Sequence, residues 1–188
     1  MRFDFQNRYV DLYFTTATVK DWKHLLKRDK YKQIITDSMA FLVSEGSTWI
    51  YAFVIMPNHF HWIWQMKGET QSPHIQQRMM KFVAQQIKFD LSAHHPEVLE
   101  RFKVVRKDRQ YQFFKEKPLS IALYSGDVVW QKMQYIHLNP VQERWRLAGR
   151  PEDYWYSSAA FYAGEVARWP FLRHFWYGDD WLSGSNMP

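Results

Sequence analysis

The stretch Met56-Pro-Asn-His-Phe-His-Trp-Ile-Trp64 determines how the rest of the chain is arranged. Its second half is rich in aromatic and β-branched residues, which predicts a buried β-strand. Side chains alternate between the two faces of a strand, so His59 and His61 point the same way, with Cα atoms roughly 6.6–7 Å apart. Two imidazoles at that separation can converge on one metal ion. A histidine pair in a strand is also compatible with a structural role, so a metal site requires a further partner elsewhere in the chain.

Length and composition limit the class of protein. A chain of 188 residues is long enough for one core and short for two, which predicts a domain over residues 1–150 and an aromatic-rich extension over residues 151–188 packed on it. The sequence has no cysteine, which excludes disulfides, thiolate metal sites and cysteine nucleophiles. Met1–Val10 lacks an apolar signal segment, and no apolar run is long enough to span a membrane. We therefore expect a cytoplasmic protein without a membrane partner.

The charge of the chain is concentrated in one segment. The net charge is +6 and aromatic residues make up 19% of the sequence, a combination typical of nucleic-acid-binding proteins. Between Arg101 and Lys117 seven basic residues stand against two acidic ones, with aromatic residues between them. This segment is either a solvated face or a binding surface, and the interleaved aromatic residues favour binding. The candidate DNA-binding residues are Arg101, Lys103, Arg106, Lys107 and Arg109.

The order of predicted elements indicates the fold class. Four strands are predicted: within Arg8–Val19, over Thr48–Met56, from His59 onward and within Gln110–Tyr124. Three helices are predicted: over Lys20–Ser44, from Pro73 to about Leu91, and from Val128 to about Leu138. Pro57-Asn58 has the composition of a tight turn that joins the second strand to the histidine strand. This order predicts an α+β protein, a ferredoxin-like antiparallel sheet with helices on one face.

The last predicted helix supplies a possible partner for the histidines. Tyr135 and Asn139 are four residues apart, so they lie on the same helix face. If that face packs over the histidine strand, His59, His61 and Asn139 become ligands for a divalent metal ion, magnesium or manganese, with Tyr135 beside them. Tyr135 could then attack phosphorus and form a covalent phosphotyrosine. The alternative is that Tyr135 is a core aromatic residue and Asn139 a helix C-cap.

The two motifs together resemble a known enzyme family. Met-Pro-Asn-His59-Phe-His61, followed by Tyr135-Ile-His-Leu-Asn139-Pro, is similar to the single-tyrosine HUH transposases, and most similar to their REP-associated tyrosine transposases. The segment Tyr154-Trp-Tyr-Ser-Ser158 resembles the Tyr-x-x-Ser-Ser segment that follows the tyrosine helix in that group. The resemblance covers roughly residues 8 to 165 and implies the HUH nuclease fold.

The resemblance implies a specific activity. Such an enzyme nicks and joins single-stranded DNA near an imperfect palindromic hairpin, with a divalent ion and no nucleotide cofactor. By this resemblance Tyr135 is the catalytic nucleophile that becomes joined to the 5′-phosphate, and His59 and His61 are metal ligands. Asn139 would be the third ligand, at a position where relatives often carry glutamine. The resemblance favours a monomer, although simpler insertion-sequence relatives share tyrosines across a dimer.

Other functions remain compatible with parts of the sequence. A non-catalytic hairpin-DNA-binding protein or repressor would keep the fold and basic surface but would not need His59, His61 and Tyr135. An RNA-binding ferredoxin-like domain would explain the aromatic residues and charge but not the histidine pair. Within the superfamily, conjugative relaxases place the tyrosine before the histidines, whereas here it follows them.

Overall fold

The computed structural model describes residues 9–68, 72–164 and 168–177. Its centre is a four-stranded antiparallel sheet in the order β2-β3-β1-β4. The strands are β1 (Leu12–Thr18), β2 (Thr48–Ile55), β3 (His59–Met66) and β4 (Leu119–Ala122). The helices are α1 (Asp29–Ser44), α2 (Ser72–His94), α3 (Pro96–Glu100), α4 (Gly126–Leu138) and α5 (Ala159–Tyr162). The predicted α+β class and ferredoxin-like sheet are confirmed.

The histidine strand β3 is central in the sheet. It pairs with β1 on one side, where Thr16 is opposite His61, and with β2 on the other, where Val54 is opposite His61. The amide N–H of Met56 donates to the carbonyl of His59 (2.8 Å), which closes the predicted tight turn between β2 and β3. Because both neighbouring strands hydrogen-bond to it, β3 is a rigid support for its side chains.

Helices lie on both faces of the sheet. Side chains of α1 and α2 line a small crevice with Trp62 and Trp64, so these two helices cover the face opposite the histidines. α4 lies on the other face, where Tyr135 contacts His61. The prediction of helices on one face is therefore right for α1 and α2 and wrong for α4. Within the described residues, no helix combines the length and apolarity needed to cross a membrane.

The chain between β1 and α1 differs from its prediction. Instead of a helix over Lys20–Ser44, two short 3-10 turns, Lys20–Trp22 and Leu25–Lys27, precede α1. Asp21 and Trp22 have positive φ angles of 55° and 56°, which interrupt helical backbone geometry. Leu25 and Leu26 are nevertheless buried, so the apolar spacing reflects core positions that are not all helical.

The described part of the C-terminal segment packs on the outer edge of β2. Ser158 N–H donates to the Phe53 carbonyl, and Ile55 N–H donates to the Tyr156 carbonyl, both at 2.9 Å. Farther along, Arg173 N–H donates to the Ile50 carbonyl at 2.9 Å. These bonds occupy backbone groups that would otherwise form an open sheet edge.

Ser158 is expected to contribute measurably to stability. Its hydroxyl accepts from the Phe53 N–H (3.0 Å), lies 2.9 Å from Nε2 of the buried His137, and is inaccessible to solvent. Ser158→Ala leaves these buried groups unsatisfied and should lower the free energy of unfolding by about 1–3 kcal/mol in urea titrations. Ser44→Ala, at an exposed serine, is the control and should change it by less than about 0.5 kcal/mol. An unchanged free energy of unfolding for Ser158→Ala would show that these hydrogen bonds do not stabilise the fold.

Candidate active site

Both histidines of β3 face one open cleft of about 690 Å³. Their ring centroids are 4.8 Å apart, which confirms that they share a face. The cleft is bounded by β1, β3, β4, α4, the β2–β3 turn, the loop after β1 and the loop after α4. The residues that line it are Phe14, Thr16, Thr18, Trp22, Asn58, His59, His61, Leu119, Ile121, Lys132, Tyr135, Arg144 and Trp145.

His61 is held by β1. Its Nδ1 lies 2.7 Å from the hydroxyl oxygen of Thr16, and its ring stacks on Phe14 with centroids 5.3 Å apart. Its Nε2 is buried and has no hydrogen-bond partner among the described residues. A buried ring nitrogen without a partner is costly in a folded protein, so this atom is suited to a ligand that the protein itself does not provide.

His59 is oriented by the residue before it. The Asn58 side-chain amide donates from Nδ2 to the Trp22 carbonyl at 3.2 Å, which fixes which end of the amide is the oxygen. That oxygen lies 2.7 Å from Nδ1 of His59. Because an amide oxygen only accepts, Nδ1 carries the proton and Nε2 keeps its lone pair. Asn58 therefore leaves Nε2 as the ring atom of His59 that can accept a bond.

Both imidazoles are neutral at pH 7. Burial, with a smaller contribution from the Arg144 charge, lowers the pKa of His59 to about 4. Burial also lowers the pKa of His61 well below its usual value, and the charges of His59, Lys132 and Arg144 act in the same direction. Neutral imidazoles offer lone pairs, which is the form in which histidine binds metal ions.

Tyr135 on α4 is beside the histidines and accessible. Its ring centroid is 5.1 Å from that of His61 and 6.1 Å from that of Phe14, and 40% of its surface is exposed. Ser125 caps the start of α4 by accepting from the Val128 N–H. The exposure of Tyr135 is inconsistent with a purely core role and leaves its hydroxyl available for chemistry.

Asn139 occupies a different environment. It lies where α4 passes into a 3-10 turn, is fully buried, and is not among the described residues that line the cleft. Neither polar atom of its side chain has a hydrogen-bond partner among the described residues, which is unusual for a buried amide. Its role as a third metal ligand remains a prediction.

The donor atoms present fit a divalent ion in part. His59 and His61 each offer Nε2, with the opposite ring nitrogen engaged by Asn58 or Thr16. Among the described residues, no group of three His, Cys, Asp or Glu side chains is placed to hold a metal ion. A complete coordination shell would therefore need an amide oxygen, water or substrate oxygens, which is the pattern for magnesium or manganese bound to phosphate.

Two cations in the cleft were not predicted. Lys132 precedes Tyr135 by three residues on α4, so the i, i+3 spacing could have identified it. Arg144 lies in the loop after α4, where no sequence pattern indicated its position. Together they make the cleft electropositive and suited to phosphate.

The predicted basic residues lie elsewhere. None of Arg101, Lys103, Arg106, Lys107 and Arg109 is among the described residues that line the cleft. Three of the five form exposed ion pairs, Lys103 with Glu100, Arg106 with Glu116 and Arg109 with Asp108. The phenylalanines between them, Phe102, Phe113 and Phe114, are in the core and unavailable for base stacking. The fourth aromatic residue of the segment, Tyr111, is half-buried and donates its hydroxyl to Glu100, so the exposed groups of the segment are mainly its charged side chains.

Comparison with known proteins gives similarity at the level of structure. No family model and no curated protein matches the sequence. The structure of a REP-associated tyrosine transposase bound to a REP hairpin matches with a TM-score of 0.58 and 17% identity, covering 95% of this chain and 90% of that chain. A transposase candidate from Deinococcus radiodurans R1 matches with a TM-score of 0.45 and 14% identity, covering 66% of this chain and 87% of that chain. The chain therefore has the fold of a REP-associated tyrosine transposase, the group that its two motifs resemble.

Proposed function

We propose that the protein is a metal-dependent, transposase-type enzyme that nicks and joins single-stranded DNA at palindromic hairpins through a 5′-phosphotyrosine intermediate. The observation that carries the proposal is the meeting of His59, His61 and the accessible Tyr135 in one electropositive cleft. The hairpin-bound transposase with the same fold supports hairpin DNA as the substrate class.

The proposed reaction is a transesterification. The Tyr135 hydroxyl attacks the phosphorus of a phosphodiester, loses its proton to solvent, and forms a bond between its oxygen and phosphorus. The bond from phosphorus to the 3′-oxygen breaks, and that oxygen takes up a proton to become a free 3′-hydroxyl. The 5′-phosphate stays on Tyr135 until a 3′-hydroxyl attacks it and rejoins the strand. The charges of Lys132 and Arg144 would hold the phosphate and stabilise the negative charge that develops during attack.

A divalent ion would polarise the phosphoryl oxygen in this cleft. His59 and His61 would hold it, since both are neutral and have Nδ1 engaged by Asn58 or Thr16, which leaves Nε2 as the donor atom. Asn139 is the proposed third ligand, with its side-chain oxygen as the donor. A neutral phenol is a weak nucleophile, which is why positive charge beside the phosphate matters for the reaction.

Covalent adduct formation tests this function. Single-stranded oligonucleotides carrying palindromic hairpins from the same genome, labelled at the 3′ end, are incubated with the protein and magnesium or manganese. We expect a labelled protein band on a denaturing gel, absent with EDTA, and a 5′-side fragment whose 3′-hydroxyl a polymerase can extend. Hairpin binding without any adduct would contradict the proposal and support the non-catalytic hairpin-binding protein.

The basic segment is proposed to add electrostatic affinity for DNA. Exposed ion pairs contribute little to stability, so its arginines can exchange carboxylates for phosphates. Replacing Arg106, Lys107 and Arg109 with glutamine should weaken hairpin binding and reduce the slope of log affinity against log salt by up to about 2. Glutamine at Lys30, Arg78 and Lys81, exposed cations of the helix layer opposite the cleft, should leave the slope unchanged. Equal slopes for both triple variants would refute this surface.

A further inference from the structure

Trp22 stands at the rim of the cleft in a position that core packing does not explain. It lines the cleft, its ring meets that of His59 edge-on with centroids 6.3 Å apart, and 55% of its surface is exposed. An indole that stays in water gains little hydrophobic stabilisation from folding. Its placement therefore calls for a reason other than stability.

The backbone that presents Trp22 is strained. Asp21 and Trp22 both have left-handed φ angles, a conformation that bulky residues adopt only where the surroundings enforce it. The Trp22 N–H donates to the Val19 carbonyl at 3.0 Å, and its carbonyl accepts from Asn58 at 3.2 Å. The residue that orients His59 thus also fixes the backbone of Trp22, and strain of this kind is concentrated at functional sites.

A second indole flanks the same histidine. Trp145 also lines the cleft, with its ring centroid 5.8 Å from that of His59. Its backbone N–H donates to the Gln142 carbonyl at 2.8 Å in a turn, and the next residue, Arg146, has a φ angle of 46°. The two tryptophans come from loops far apart in sequence, yet both contact the ring proposed to hold the metal.

A basic side chain lies near each of the two indole rings. Lys115 Nζ lies 4.4 Å from the centroid of the Trp22 ring, and the Arg144 guanidinium lies 5.7 Å from that of Trp145. A nucleotide in a single strand has a flat base that is joined through its sugar to a phosphate. Proteins that bind single-stranded nucleic acid combine aromatic platforms with cations for this reason.

We propose that Trp22 and Trp145 form a stacking subsite for unpaired nucleobases of DNA next to the scissile phosphate, with Lys115 contacting an adjoining phosphate and Arg144 the scissile one. This tryptophan subsite deepens the proposed function and rests on it, because it binds the strand that Tyr135 would cut. Stacking tolerates any base, so the subsite positions the strand without reading its sequence.

The test compares Trp22→Ala with Trp155→Ala. Trp155 is a matched control, because it is 54% exposed and has Arg168 over its ring at 5.1 Å, but it is not among the described residues that line the cleft. The probes are a fluorescein-labelled oligothymidylate of about twelve nucleotides and an abasic oligonucleotide of the same length and charge. All measurements use Tyr135→Phe protein, so that no strand is cut, and circular dichroism confirms folding of each variant.

Trp22→Ala is expected to lose affinity only for the oligonucleotide that carries bases. Trp22→Ala should weaken oligothymidylate binding about tenfold and leave binding of the abasic oligonucleotide unchanged, whereas Trp22→Phe should restore most of the affinity. Trp155→Ala should bind both probes like the parent. Equal losses on both probes, no loss on either, or a parent protein that does not distinguish the probes would each overturn the subsite.

Adduct formation on hairpin oligonucleotides separates the two proposals. If no adduct forms but the Trp22→Ala loss appears only with bases present, the cleavage function fails and base stacking in the cleft stands. If the adduct forms and the Trp22→Ala loss is absent, the subsite fails and the cleavage function stands.

Discussion

Tyr135→Phe is expected to abolish covalent adduct formation on hairpin oligonucleotides, with a fall of at least about a thousandfold that reaches the detection limit. The change removes only the hydroxyl oxygen that forms the bond to phosphorus, and Tyr135 is the only tyrosine among the described residues that line the cleft. The ring keeps its edge contacts with His61 and Phe14, so the cleft should retain its shape. Binding of the uncut hairpin should stay within a few-fold of the parent.

Tyr124 provides the control for this result. It is 76% exposed, precedes α4, and is not among the described residues that line the cleft. Tyr124→Phe should therefore form the adduct at the parental rate. An adduct of undiminished yield from Tyr135→Phe would exclude Tyr135 as the nucleophile, and peptide mapping of that adduct would identify the residue that is used.

His61→Ala is expected to reduce the cleavage rate by at least about a hundredfold. Loss of groups that only orient a metal ligand already costs 10–100-fold in metal affinity or activity, and loss of the ligand itself should cost no less. The same variant should also lose the binding of manganese measured by calorimetry on the DNA-free protein. Hairpin binding should persist, because contacts to the phosphate backbone do not require the metal.

His137→Ala is the control that distinguishes a metal-binding role of His61 from a structural one. It is also a buried histidine whose pKa burial lowers to about 4, but its Nε2 is engaged with Ser158. His137→Ala should lower the unfolding midpoint and leave manganese binding of the folded protein intact, whereas His61→Ala should lose manganese binding. If both variants lost stability alike and neither changed manganese affinity, the histidine pair of β3 would be structural.

The local parts of the site could be predicted from sequence. The i and i+2 spacing of His59 and His61 fixes their shared face, because strand alternation is a property of the backbone alone. Tyr135 could be assigned to a helix for a similar reason, since the capping serine and following proline delimit α4. The approach of Tyr135 to His61 depended on the family resemblance, because no local rule determines which helix covers which face of a sheet.

The residues that the sequence did not place, or placed wrongly, have positions that depend on long-range contacts or on backbone strain. Trp22 could not be assigned to the cleft, because its left-handed backbone is held by Asn58, which lies on a different element. Arg144 and Trp145 follow a turn without periodicity, so nothing local indicated their direction. The phenylalanines of the basic segment had the composition of a stacking surface, but they pack in the core. Aromatic residues serve both purposes, and composition does not separate them.

The pairing of the C-terminal segment with β2 limits where the chain can be shortened. Because its backbone pairs with β2 through Ser158 and Arg173, a chain ending near Gly149 would expose a strand that is apolar on both faces and ready to pair with other chains. Such a truncated protein should aggregate when expressed.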